Sequence, residues 1–130
     1  MLRGVSVLVV DDDPAIRALI LTLLERAHAS VDCVGDGEDV ATQLASHSYS
    51  VIVLDLMLPK LDGFAVLDRF ASTSPEMIKR VIVLTAVARS KLAPLEKFRV
   101  WSVMRKPFDI DDFTHAVADC AAQRRPQDAT

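Results

Sequence analysis

The chain has 130 residues, 51% hydrophobic and 25% charged, with a formal net charge of −3; this is the length and balance of one globular domain with one core. No basic stripe runs through it, which argues against direct nucleic-acid binding. The longest apolar runs are far too short to span a bilayer, and the start MLRGVSVLVV lacks the long apolar segment and small-residue cleavage site of a secretory signal.

In chain order, the first apolar run, Val5–Val10, reads as a strand and ends in Asp11, Asp12 and Asp13. Asp13 is placed to cap a helix that Pro14 begins, because a proline at the first helical position gives up an N–H that has no helical partner anyway. Ile16, Leu19, Ile20, Leu23, Leu24 and Ala27 then fall on one helical face. Ser30–Val34 is a weaker second strand. Asp36 is expected to cap a helix carrying Val40 and Leu44. Val51–Leu54 is continuously apolar, as a strand buried on both faces of a parallel sheet is, and Asp55 follows it. Asp62 is expected to cap a third helix with Phe64, Leu67 and Phe70, and Asp62–Gly63 reads as a turn. Val81–Leu84 is the fourth strand and leads into Thr85.

The stretch ARSKLAPLEKF holds Pro94 in its middle, so a fourth helix there is expected to be short or irregular. Val100–Met104 is the fifth strand, followed by Lys106. Asp109 is expected to cap a last helix with Ile110, Phe113, Val117 and Cys120 on one face. Phe70 and Phe113 read as core. Strand and helix alternate five times, which predicts an α/β fold, (βα)5, with a parallel sheet and right-handed crossovers. Residues 1–123 form the expected domain, and 124–130 a frayed tail or the start of a linker. Cys33 and Cys120 lack metal or redox spacing and read as reduced, packed thiols. His28, His47 and His115 are scattered among helix positions without ligand spacing.

The polar residues at the strand exits carry the chemistry. In open α/β sheets ligands bind beyond the carboxyl ends of the strands, where the strand order reverses. If the strand order is 2-1-3-4-5, the reversal falls between the first and third strands, and Asp11, Asp12 and Asp55 converge. Three carboxylates in one small space repel one another, and a divalent cation resolves this. Oxygen-only donors suit Mg²⁺ or a similar hard ion. Lys106 adds a mobile positive charge and Thr85 a hydroxyl. A carboxylate so placed can attack phosphorus and form an aspartyl phosphate.

The segments VLVVDDDPAIR, VIVLDLMLPKLDGF, VIVLTA and VMRKPF resemble, in order and spacing, the signatures of response-regulator receiver domains of two-component signalling, over about the whole chain. The resemblance implies a flavodoxin-like, doubly wound five-stranded sheet in a cytoplasmic protein. It implies that Asp55 is the phosphoacceptor, that Asp12 holds Mg²⁺ directly and Asp11 through water, and that the Met57 backbone carbonyl is a further metal ligand. Thr85 corresponds to the switch hydroxyl and Lys106 to the phosphate-contacting lysine, followed by a cis bond to Pro107.

Implied partners are a sensor histidine kinase or histidine phosphotransfer protein, and a downstream effector on the face of the fourth helix, fifth strand and last helix, with the domain a monomer or weak dimer. Such a protein catalyses only its own phosphorylation and dephosphorylation. The chain departs from the pattern at Val103, where an aromatic residue is usual. Trp101, two residues earlier, is expected on the same side of the strand. Two other readings remain open. One is a receiver-like interaction module that is not phosphorylated. The other is an Asp-nucleophile phosphatase of the haloacid-dehalogenase type, which would carry DxDx[TV] after the first strand.

Overall fold

A computed structural model describes residues 1–125. Five strands, β1 (Ser6–Val10), β2 (Ser30–Val34), β3 (Val51–Leu54), β4 (Val81–Thr85) and β5 (Ser102–Arg105), form one parallel sheet in the order β2-β1-β3-β4-β5. The α-helices are α1 (Pro14–Arg26), α2 (Glu38–Ser46), α3 (Gly63–Thr73) and α4 (Ile110–Ala122). Between β4 and β5 the expected helix is replaced by two 3₁₀ segments, Arg89–Lys91 and Ala93–Phe98. Pro94 lies in the first turn of the second segment, where its missing N–H is tolerated.

The sheet divides the core in two. Successive side chains of β1 alternate sides: Leu8 and Val10 pack with Val40, Val66, Leu67 and Phe70 under α2 and α3. Val7 and Val9 pack with Ile20, Leu24, Phe113 and Val117 under α1 and α4. β3 and β4 are buried along their whole length, which is why their sequences show no polar alternation. Leu19 sits at the edge of the α1 stripe and is 41% exposed.

The carboxylate caps form as expected. Asp13 accepts from Ala15 N and Ile16 N, Asp62 from Ala65 N, and Asp109 from Asp112 N. Asp36 caps α2 from one residue before the N-terminal position, which Gly37 occupies, and accepts from Glu38 N and Asp39 N at 3.0 Å each. His28 and His47 lie just beyond the ends of α1 and α2 rather than within them.

Two expectations need correction. Cys33 is exposed, because β2 is an edge strand covered less fully than the strands inside the sheet, whereas Cys120 is buried. Trp101 does not share a side with Val103. It precedes β5, so strand alternation does not govern it, and its ring is buried with Ile82, Leu84 and Phe113. Val103 pairs with Val83, whose side chain lies in the other half of the core, and is 41% exposed. In the stretch 124–130, Arg124 N donates to Asp119 O, and the Arg125 guanidinium stacks 3.8 Å from the Trp101 ring. The remainder of that stretch lies outside the described residues.

Two local features yield measurable consequences. The Ser102 hydroxyl is buried and has no hydrogen-bond partner among the described residues. A buried polar group left unpaired is destabilising by about 1–3 kcal/mol, so Ser102→Ala is expected to raise stability by about 1 kcal/mol. Urea melts that show no gain, or a loss, would contradict this. Tyr49, the single tyrosine, donates its hydroxyl to Asp32 Oδ2 at 2.6 Å and accepts from Gln43 Nε2 at 2.7 Å.

Burial, reinforced by the Asp32 bond, pushes the Tyr49 phenol up to about 12. The neutral phenol is therefore favoured in the fold. Its contribution is fully present below the unfolded value near 10 and is lost as pH rises through 12. Ultraviolet titration of this single tyrosine is expected to show a midpoint near 12 that moves down in Asp32→Asn. A midpoint near 10 in the native protein would refute the network.

Candidate functional site

The parallel ladder continues past the strand ends and fixes the exit residues. Asp11 N donates to Val34 O at 3.2 Å, Asp55 N to Val10 O at 2.9 Å, and Lys106 N to Thr85 O at 2.9 Å. The strand order reverses between β1 and β3, and there the acidic side chains meet. Asp11, Asp12 and Asp55 each offer a carboxylate oxygen within 4.8 Å of the others. Asp11 is 2% exposed, Asp55 is 6% exposed, and Asp12 faces solvent.

Lys106 reaches in from the β5 exit. Its Nζ lies 2.6 Å from Asp11 Oδ2 and 3.2 Å from Asp55 Oδ2. Backbone donors complete the carboxylates: Asp13 N–H to Asp11 Oδ1 at 2.9 Å, and Met57 N–H to Asp55 Oδ1 at 3.1 Å. Burial pushes the Asp11 carboxyl above its ordinary 3.8, against the opposing pull of the Lys106 hydrogen bond. Burial alone would lower the Lys106 ammonium. The hydrogen bond to Asp11 and the two carboxylate charges outweigh it and hold the ammonium above 10.5.

The fold thus gathers four of the six residues singled out from the sequence: Asp11, Asp12, Asp55 and Lys106. Thr85 is fully buried at the β4 exit, and its hydroxyl accepts from Val87 N at 3.2 Å. Met57 contributes backbone, while its side chain is 63% exposed. The Lys106–Pro107 peptide is cis. The donor set is all oxygen, rich in carboxylate and partly open to solvent, which fits a hard divalent cation such as Mg²⁺. Asp11, Asp12 and Asp55 are the side chains that could hold it.

A family model described as the response regulator receiver domain matches residues 7–118. The chain belongs to the response regulator receiver domains. Among curated relatives, the transcriptional regulatory protein TcrA of Mycobacterium tuberculosis is 33% identical over 111 residues, covering 84% of this chain and 43% of TcrA. The chain therefore spans less than half of that relative's length.

Among solved structures, the receiver domain of Francisella response regulator 1452 superposes with a TM-score of 0.81 at 30% identity, covering 92% of this chain and 98% of that one. The response regulator TrrA of Thermotoga maritima, solved in complex with Mg²⁺ and BeF, gives 0.78 at 25% identity, covering 89% and 98%. The receiver identity also accounts for the 2-1-3-4-5 order, for which a chemotaxis receiver is a standing example. Among the described residues of this receiver no helix is long and apolar enough to cross a membrane.

Sequence reasoning undervalued Gly63. It is the first residue of α3, not merely part of a turn, and it is buried. A Cβ there would lie 2.5 Å from the Asp55 carbonyl oxygen. Only glycine lets α3 approach the Asp55 backbone so closely. The available signal was a glycine directly after the capping Asp62.

Proposed function

We propose that this receiver accepts a phosphoryl group on Asp55 with the help of Mg²⁺ and works as a two-state signalling switch. The observation that carries the reading is the convergence of buried Asp55 with Asp11, Asp12 and Lys106 at the sheet's reversal point. The magnesium complex of the Thermotoga relative supports the choice of cation.

In this reading Asp55 is the nucleophile. A lone pair of a carboxylate oxygen forms the new O–P bond, while the bond from phosphorus to the donor's imidazole nitrogen breaks and leaves its electron pair there. Asp11, Asp12, Asp55 and the Met57 carbonyl would hold the cation, which would supply positive charge against the oxygens of the transferring group. Lys106 adds a second positive charge and can follow the phosphoryl oxygens, because its ammonium ends a flexible stem. The Thr85 hydroxyl, now engaged with Val87 N–H, turns toward the phosphoryl group and draws the loop after β4 with it. The acceptor bond biases a pre-existing equilibrium and does not create a new shape.

The phosphoryl donor in this reading is a sensor histidine kinase or a histidine phosphotransfer protein. The effector meets the face built from Arg89–Lys91, Ala93–Phe98, β5 and α4. Incubation with acetyl phosphate and Mg²⁺ is expected to add one phosphoryl mass per chain, and a chelator to prevent it. An unchanged mass in the presence of Mg²⁺ would favour an interaction module that is never phosphorylated.

A further inference from the structure

The segment between Asp55 and α3 carries no helix or strand from Met57 to Asp62, and the Met57 side chain is not packed. Its backbone nonetheless has to hold one position, because Met57 N–H donates to Asp55 Oδ1. The α2 entrance holds it. Gly37 is buried, and a Cβ there would lie 1.8 Å from Leu61 O and 2.7 Å from Leu61 C. Backbone meets backbone at this point, and no side chain can yield to make room.

One residue earlier, Lys60 adopts a left-handed φ of 63°. That conformation is uncommon for a non-glycine residue and persists where surroundings enforce it. Lys60 Nζ lies 3.4 Å from Asp36 Oδ2. The other oxygen of Asp36 is already fixed by two α2 backbone N–H groups. The carboxylate is therefore pre-oriented and does not have to be immobilised by the ion pair alone.

We propose that Asp36, Gly37 and Lys60 form a clasp through which the α2 entrance positions the Met57 backbone beside Asp55. These are positioning residues, and their bearing on chemistry rests on the phosphoacceptor reading above. Three contacts of different kinds converge on one short segment: a steric contact, an ion pair and an enforced backbone conformation. The opposite end of the segment is fastened separately, by Gly63 beneath the Asp55 carbonyl and by Gly63 N–H to Leu56 O at 3.0 Å. Together the two fastenings leave Met57 little freedom.

The test compares Gly37→Ala, Asp36→Asn, Lys60→Met and Lys60→Arg. Asp36→Asn keeps an oxygen to cap α2 but loses the charge. The first readout, amide hydrogen exchange at Met57, needs no metal. Gly37→Ala is expected to speed Met57 exchange by about tenfold, with the amides of Val53 and Val83 unchanged. Asp36→Asn and Lys60→Met are expected to speed it by about two- to fivefold, the range of a partly exposed ion pair. Combining them is expected to do no more than either alone, and Lys60→Arg to restore the native rate.

The second readout, Mg²⁺ affinity by calorimetry, is expected to weaken in the same order. A merely structural role would move the Val53 and Val83 amides as well. Met57 exchange and Mg²⁺ affinity within twofold of the native protein in Lys60→Met, and in Gly37→Ala where it folds, overturn the clasp. If the native protein takes up phosphoryl and the variants show no change, the clasp alone fails. If Met57 exchange responds while the native protein takes up no phosphoryl, the clasp stands and the phosphoacceptor reading fails.

Discussion

Asp55→Asn is expected to abolish phosphoryl uptake from acetyl phosphate, while the variant keeps the native fold and melts no lower than the native protein. The reason is chemical. An amide oxygen has neither the charge nor the basicity of a carboxylate, so no acyl phosphate forms. The structural effect is small because Asn is nearly isosteric and its oxygen can still accept from Met57 N–H, now at 3.1 Å. It also removes a carboxylate charge that repels Asp11, and leaves Lys106 paired with Asp11 at 2.6 Å.

Asp11→Asn and Asp12→Asn serve as the informative comparisons. In the proposed function each removes one charge from the metal site and leaves the nucleophile in place, so each is expected to slow uptake without eliminating it and to raise the Mg²⁺ concentration required. Intact-mass spectrometry over time separates the three. Full phosphoryl uptake by Asp55→Asn would move the acceptor elsewhere and remove the basis of the proposed function.

The second large effect is expected at Lys106. Its side chain is 14% exposed and bridges two carboxylates that are 3% and 8% exposed. Replacing it with Met leaves the stem's packing and removes the charge. Breaking one side of a buried ion pair is destabilising by about 3–5 kcal/mol, because the remaining charge is buried without compensation. The metal-free Lys106→Met variant is expected to lose stability of that order at neutral pH.

The pH dependence has a definite sign. Burial already holds Asp11 above 3.8, and loss of the lysine raises it further. A carboxyl raised in the fold binds more protons folded than unfolded. Its favourable contribution is complete below 3.8 and is lost as pH rises through the raised value. The gap in melting temperature between native and variant proteins is thus expected to narrow as pH falls from neutral toward 4. Lys106 in the native protein, held above 10.5, stays charged across this range. Millimolar Mg²⁺ is expected to restore part of the variant's stability at neutral pH by binding only the folded state. A gap independent of both pH and Mg²⁺ would show that the lysine does not neutralise the acidic pair.

Much of this architecture was legible in the chain. Runs such as VIVL reveal strands buried on both faces, because only a parallel sheet covered by helices hides such a segment. Asp13, Asp62 and Asp109 mark helix starts because a carboxylate satisfies free N–H groups there. The acids at the strand exits could be assigned to one site because all parallel strands end on the same edge. Exit position follows from sequence pattern and the 2-1-3-4-5 order from the receiver resemblance, and the two together place Asp11, Asp12, Asp55 and Lys106 at one site, where the structure also gathers them.

Contacts between loops were not legible, because they depend on distances across the fold that no local pattern encodes. Trp101 shows this at one residue. Counting by twos put it beside Val103, but the strand begins only at Ser102, and the ring turns to the α1–α4 side. Asp62–Gly63 reads as a turn, and no local pattern singles out Gly37. Only the assembled chain shows that each lies against another segment's backbone carbonyl. The Asp36–Lys60 pair likewise joins loops that follow different strands. Sequence alone determined the strands, the helix starts and which acids stand at the strand exits, because periodicity, capping and strand ends are local properties. Tertiary structure decided how firmly the segment after Asp55 is held, because that depends on close approach between residues far apart in the chain.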